Sequence, residues 1–152
     1  MVTSYSIRPP RLRYDQGMKM LLVLLALAAV AHADPLAVEI KPASLAWRAK
    51  VPVDVVLKVS NPSTDRQSIK VWLCSWEENW KSSDPELVWR PWACDKNYEK
   101  TEVLEPGGAK QWTLPMYPAA TAKPGIHSLR MGFTSGGGTT LWSNPVAITV
   151  GK

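Results

Sequence analysis

From Val51 to Ser60 the chain alternates: Val51, Val53, Val55, Leu57 and Val59 are apolar, and Pro52, Asp54, Lys58 and Ser60 alternate with them. Val56 alone breaks the rule. A period of two sends one set of side chains to a buried face and the other to water, which is a half-buried strand. Asn61-Pro62 ends it, because proline has no N–H to give a ladder. Ile69, Val71 and Leu73 repeat the pattern, and further short runs follow until Val150. Ser83-Asp84-Pro85, Pro106-Gly107-Gly108, Lys123-Pro124-Gly125 and Gly136-Gly137-Gly138 separate them, all residues that favour turns. No helical apolar period and no internal repeat interrupts the series. Runs at 36–47, 51–60, 67–78, 86–93, 109–116, 125–134 and 140–150 therefore predict an all-β, antiparallel two-sheet sandwich of about seven strands.

The N-terminus follows a different rule. Residues 21–31 (LLVLLALAAVA) are continuously apolar, too few for a membrane span of about 20. Lys19 precedes the run and Ala31-His32-Ala33 follows it, the pattern of a secretory signal peptide cut after Ala33. Met18-Lys19-Met20 makes a better start for such a leader than residue 1, so residues 1–17 read as an over-extended gene start. The mature domain is expected to be 34–152, secreted or periplasmic, with no stable membrane span. Losing Arg8, Arg11, Arg13, Lys19 and Asp15 takes the formal charge from +5 to +2. The basic balance thus belongs largely to the leader and gives no case for nucleic acid.

An exported chain with two cysteines is expected to join them, here Cys74 and Cys94. A hairpin centred on Asp84 would set Cys74 opposite Cys94, Trp76 opposite Trp92 and Glu78 opposite Arg90. A loop of this size contributes about 3 kcal/mol in the chain-entropy account. In that register Trp72, Trp76 and Trp92 share the face opposite Ile69, Val71 and Leu73. Exposed coplanar indoles can stack on the apolar faces of sugars, whereas buried ones pack on each other and on the disulfide. Both readings stand at this point. Trp47, Trp112 and Trp142 belong to other strands and are expected in the core or anchoring loops.

Catalytic residue types are scarce. The mature chain keeps His127, which stands alone in its strand, and no Gly-x-Ser-x-Gly elbow is present. Glu77, Glu78, Asp84 and Glu86 could supply a glycosidase pair, yet hydration of a polar loop accounts for them. The glycine triplet is followed by no Lys-Ser/Thr and opens no helix, so it is not a phosphate loop. The expectation is a non-enzyme with no catalytic residues, no metal site and no cofactor.

Val59-Ser60-Asn61-Pro62-Ser63, Leu104-Glu105-Pro106-Gly107 and Pro124-Gly125-Ile126-His127 give most of 50–150 a likeness to known domains. The chain resembles secreted bacterial Ig-like domains, and is similar in spacing to the Bacillus intracellular proteinase inhibitor family. These resemblances imply an Ig-like or fibronectin-like sandwich. Asn61-Pro62-Ser63-Thr64, Arg90-Pro91-Trp92 and Gly136-Gly137-Gly138 also resemble the three motifs of chagasin-type cysteine protease inhibitors. The chain departs from that pattern by lacking the Gly and aromatic after the first motif, and by reversing the order of the other two.

In a sandwich of this kind the loops at 61–67 and 135–140 share one end, where recognition commonly resides. The first expectation is a binding module for a protein or a glycan. Asn61, Pro62, Ser63, Thr64, Trp72, Trp76, Trp92, Gly136, Gly137 and Gly138 are its candidate residues. A protease inhibitor working through those two loops is the alternative, and a purely structural domain the third.

Overall fold

The computed structural model describes residues 36–89 and 94–152, and every structural statement below refers to those residues. The leader, its cleavage after Ala33, and Arg90, Pro91 and Trp92 lie outside them.

The chain is all-β. In order it forms β1 (Ala37–Pro42), β2 (Ala46–Arg48), β3 (Val53–Ser60), β4 (Gln67–Trp72), α1 (Trp76–Asn79), β5 (Trp80–Ser82) and β6 (Leu87–Trp89). Then come β7 (Glu99–Leu104), β8 (Ala109–Pro118), β9 (Gly125–Leu129), β10 (Met131–Thr134), β11 (Thr140–Trp142) and β12 (Val146–Gly151). Four open ladders result: β1-β3-β8-β6, β11-β10-β5, β2-β12-β9 and β4-β7. All pairings are antiparallel except that of β2 with β12.

The alternation in β3 does what its period predicts. Val55, Leu57 and Val59 are buried, and the strand is zipped between β1 and β8 along its length. Their side chains join Ile69, Val71, Leu104, Leu114, Met116, Leu129, Ile148 and others in one buried cluster. An aromatic knot closes it: the Trp80 ring lies 5.6 Å from Trp112 and 5.0 Å from Phe133, edge-on to the first and tilted to the second. Such offset pairs add to simple burial because ring edges and faces carry opposite charge.

Three expected long strands are each broken in two, the run 36–47 dividing into β1 and β2. Arg130 separates β9 from β10, and Ser143-Asn144-Pro145 separates β11 from β12. Pro145 has no N–H for a ladder. Arg130 Nε donates instead to the Ser143 carbonyl (2.9 Å), with its guanidinium 5.6 Å from the Trp142 ring. The break lets one chain segment serve two ladders: β9 pairs with β12, while β10 pairs with β11 and β5.

The hairpin centred on Asp84 does not form. β4 stops at Trp72 and pairs with β7, Gln67 opposite Leu104 and Trp72 opposite Glu99. Trp76 and Glu78, assigned above to a strand, lie in α1, where Glu77 and Glu78 occupy the first turn. Acidic side chains there meet the positive end of the peptide dipoles. Residues 87–89 leave for another ladder and pair with β8, burying Leu87. The disulfide between Cys74 and Cys94 is nevertheless present, with Cα atoms 5.8 Å apart. It lies beyond the end of the β4-β7 ladder, where the Cys74 amide donates to Asn97 Oδ1.

Candidate functional site

Two buried asparagines organise the surface around the candidate residues. Asn79, at the end of α1, is 4% exposed and lies against two strands. Its Oδ1 accepts from the Trp72 amide (2.6 Å), and its Nδ2 donates to the carbonyls of Lys70 (2.9 Å) and Thr134 (2.8 Å). One carboxamide thereby supplies the hydrogen bonds that β4 would need from a neighbouring strand, and ties β4 to β10. This is why Trp72 ends β4 in a fixed place.

The glycine triplet is fastened to the same strand. Ser135 Oγ accepts from the Lys70 amide (2.9 Å), and the Gly138 amide closes the turn on the Ser135 carbonyl (3.0 Å). Gly136 and Gly137 have φ of +53° and +79°, the left-handed region that side chains with a Cβ rarely adopt. A Cβ on Gly136 would also meet Lys70 Cδ at 2.7 Å. The glycine turn is thus pinned to β4.

Trp72 and Gly136–Gly138 consequently line one cleft of about 340 Å³. Glu78, Lys81 and Glu99 project along its walls, with Thr134 and Thr140 near the turn. Glu99 is held by Lys70 Nζ at 2.8 Å. The cleft is mainly polar, with two carboxylates and an ammonium within reach of one small ligand and Trp72 at its edge, and its size falls within the range of ligand pockets. A second groove, lined by Lys50, Pro52, Pro115 and Tyr117, is of similar size but has one charged group.

The other candidates are elsewhere. Trp76 is half-buried and packs on the core from α1. Trp92 lies outside the described residues. Asn61 is fully buried, and its side chain is spent on its own loop and on the end of β7. Nδ2 donates to the carbonyls of Asp65 (2.8 Å) and Leu104 (2.9 Å), while Oδ1 accepts from the Ser63 amide (3.1 Å) and hydroxyl (2.6 Å). Pro62 and Thr64 remain exposed and Ser63 half-exposed. Loop 61–66 leans on the turn before β8, through Asn61–Gly108, Gly107–Asn61 and Arg66–Glu105 contacts. Among the described residues no hydrogen bond or ion pair joins 61–67 to 135–140.

His127 is not alone. Its Nδ1 lies 2.8 Å from Asp84 Oδ2 and 3.8 Å from Glu86 Oε2, and its Nε2 lies 2.8 Å from the Lys123 carbonyl. Sequence reasoning missed this because Asp84 and Glu86 are remote in the chain and belong to a turn that seemed merely hydrated. The Ser83-Asp84-Pro85 break was a signal for the turn, but not for its partner.

The chain matches no protein family and no curated protein.

Proposed function

We propose that this chain is an exported, non-catalytic Ig-like module that binds a glycan in the cleft between Trp72 and the glycine turn. One observation carries the reading: Trp72 and Gly136–Gly138, far apart in the chain, line the same polar cleft with Glu78, Lys81 and Glu99. A sugar presents an apolar ring face to an indole and hydroxyls around its rim to carboxylates and an ammonium. Export is supported by the apolar run 21–31 with its small-residue cut site, and by the disulfide, which persists in oxidising compartments. The non-catalytic reading is supported by His127, whose two ring nitrogens already face protein acceptors and offer no base to a substrate.

Inhibition of a protease is the second reading, and one feature favours it. Loop 61–66 is prearranged by Asn61 and presents Pro62 and Thr64 outward, and a loop already ordered loses less entropy on binding. A glycan array beside a protease-inhibition panel separates the two. Trp72→Ala and Lys81→Ala should weaken glycan binding about tenfold or more, with Pro62→Gly and Thr64→Ala silent. The opposite ranking, with inhibition present, would replace the first reading by the second. Indifference to both sets would remove both.

A further inference from the structure

The His127 side chain is only 10% exposed, and its two nitrogens have partners of one kind. Asp84 Oδ2 and the Lys123 carbonyl oxygen are both acceptors, each 2.8 Å from a ring nitrogen. A neutral imidazole has one N–H and one lone pair, so it can satisfy one of these contacts while its lone pair opposes the other. Only the doubly protonated ring donates at both. A proton also fits the spacing better than a metal ion. Zinc bonded at about 2.0–2.2 Å to each ligand in a tetrahedral site would hold Nδ1 and the carboxylate oxygen roughly 3.3 Å apart.

The geometry points to a proton-operated latch: protonated His127 on β9 holds the turn 83–86 and the loop before β9 together, and deprotonation opens one side of it. The segments it joins have further ties of their own. Ser83 exchanges hydrogen bonds with Arg130, the Ala119 amide donates to the Glu86 carbonyl, and the Asp84 carboxylate shapes its turn by accepting from the Glu86 amide. The latch therefore adjusts a seam that already exists. The turn lies between β5, whose Lys81 lines the cleft, and β6, which pairs with β8. This inference does not depend on what the cleft binds.

The charged groups facing the ring are Asp84 and Glu86 from the turn; the loop before β9 contributes the neutral Lys123 carbonyl, and β12 sets Ile148 opposite His127. The hydrogen bond to Lys123, followed by that to Asp84, holds the ring's pKa above its ordinary 6.5 despite burial. A raised value means the stabilisation is complete below 6.5 and disappears as pH rises through the folded-state pKa.

Imidazole 15N shifts of the His32→Gln protein, which keeps His127 as its one histidine, test the latch directly. Both ring nitrogens should show protonated-type shifts in mild acid, with a midpoint above 6.5 that a chelator does not move. Asp84→Asn keeps an oxygen for the Glu86 amide but turns an N–H toward the ring, so it should lower that midpoint. The melting temperature should fall as pH passes through the midpoint in the parent protein and stay level in His127→Gln. A midpoint at or below 6.5, a midpoint unchanged by Asp84→Asn, or one displaced by chelation would overturn the latch. Should His127→Gln fail to fold, the Asp84→Asn titration decides alone.

Discussion

Two turns of this protein are each held by a buried polar side chain, and the chemistry differs. Loop 61–66 is closed by the neutral carboxamide of Asn61, with backbone groups and the Ser63 hydroxyl as partners. Turn 83–86 is closed on β9 by His127, whose partners are a carboxylate and a carbonyl that both demand a proton. An amide carries its donors and acceptors at every ordinary pH, so the first closure is permanent. In the second, the His127 contacts are conditional on proton supply while the Ser83–Arg130 and Ala119–Glu86 bonds are not. Position in the fold does not distinguish them; the choice of side chain does.

Asn61→Ala should produce the largest effect. It strands the Leu104 carbonyl and the loop's own backbone groups, and should cost about 3 kcal/mol. Urea unfolding in mild acid and in mild alkali should give the same loss, and a loss that depends on pH would break the contrast. His127→Gln should cost about 2 kcal/mol in mild acid, the value of hydrogen bonds to a charged group, and little once pH exceeds the folded-state pKa.

A third variant sharpens the comparison from the acidic side. Glu102 on β7 bridges Lys100 and Lys110, and its carboxyl is held below the usual 4.5 by hydrogen bonds to Lys100 and then Lys110. A depressed pKa gives stability above 4.5 that is lost as pH falls through the folded value, the reverse of His127. Glu102→Gln should cost about 0.5 kcal/mol near neutral pH and nothing in strong acid, read from the same unfolding curves. Arg66→Ala should be smallest. Its pair with Glu105 lies beside the Asn61 loop but is more than half exposed on both sides, and should register below about 0.5 kcal/mol.

Legibility in the sequence followed burial. β3 announced itself because Val55, Leu57 and Val59 all face the core while Asp54 does not. β7 went unread because Glu99, Lys100, Thr101 and Val103 are exposed and Leu104 alone is buried, leaving no alternation to detect. The segment 72–89 was misread for another reason. Pairing the cysteines suggested a ladder, and the bond does form, but outside the ladder that β4 makes with β7. Nothing local marks Asn79 as the residue that replaces a strand's hydrogen bonds. Trp72 and the glycine triplet were both noticed, yet their meeting depends on Asn79 and Ser135, which were not.

The strand latest in chain order also sets a timetable for synthesis. β12 lies between β2 and β9 in its ladder, with Arg48 opposite Gly151 on one side and Leu129 opposite Val146 on the other. A ribosome that has finished β9 has made two strands of that ladder and neither has its partner. Residues 46–48 must then wait for about a hundred more residues before their ladder partner exists, a separation that makes closure of this ladder slow compared with local hairpins. Release of 146–151 is therefore the event that lets the β2-β12-β9 ladder assemble. A nascent chain stalled before it would carry unpaired strand edges, and protease sensitivity of stalled chains should drop when that segment emerges.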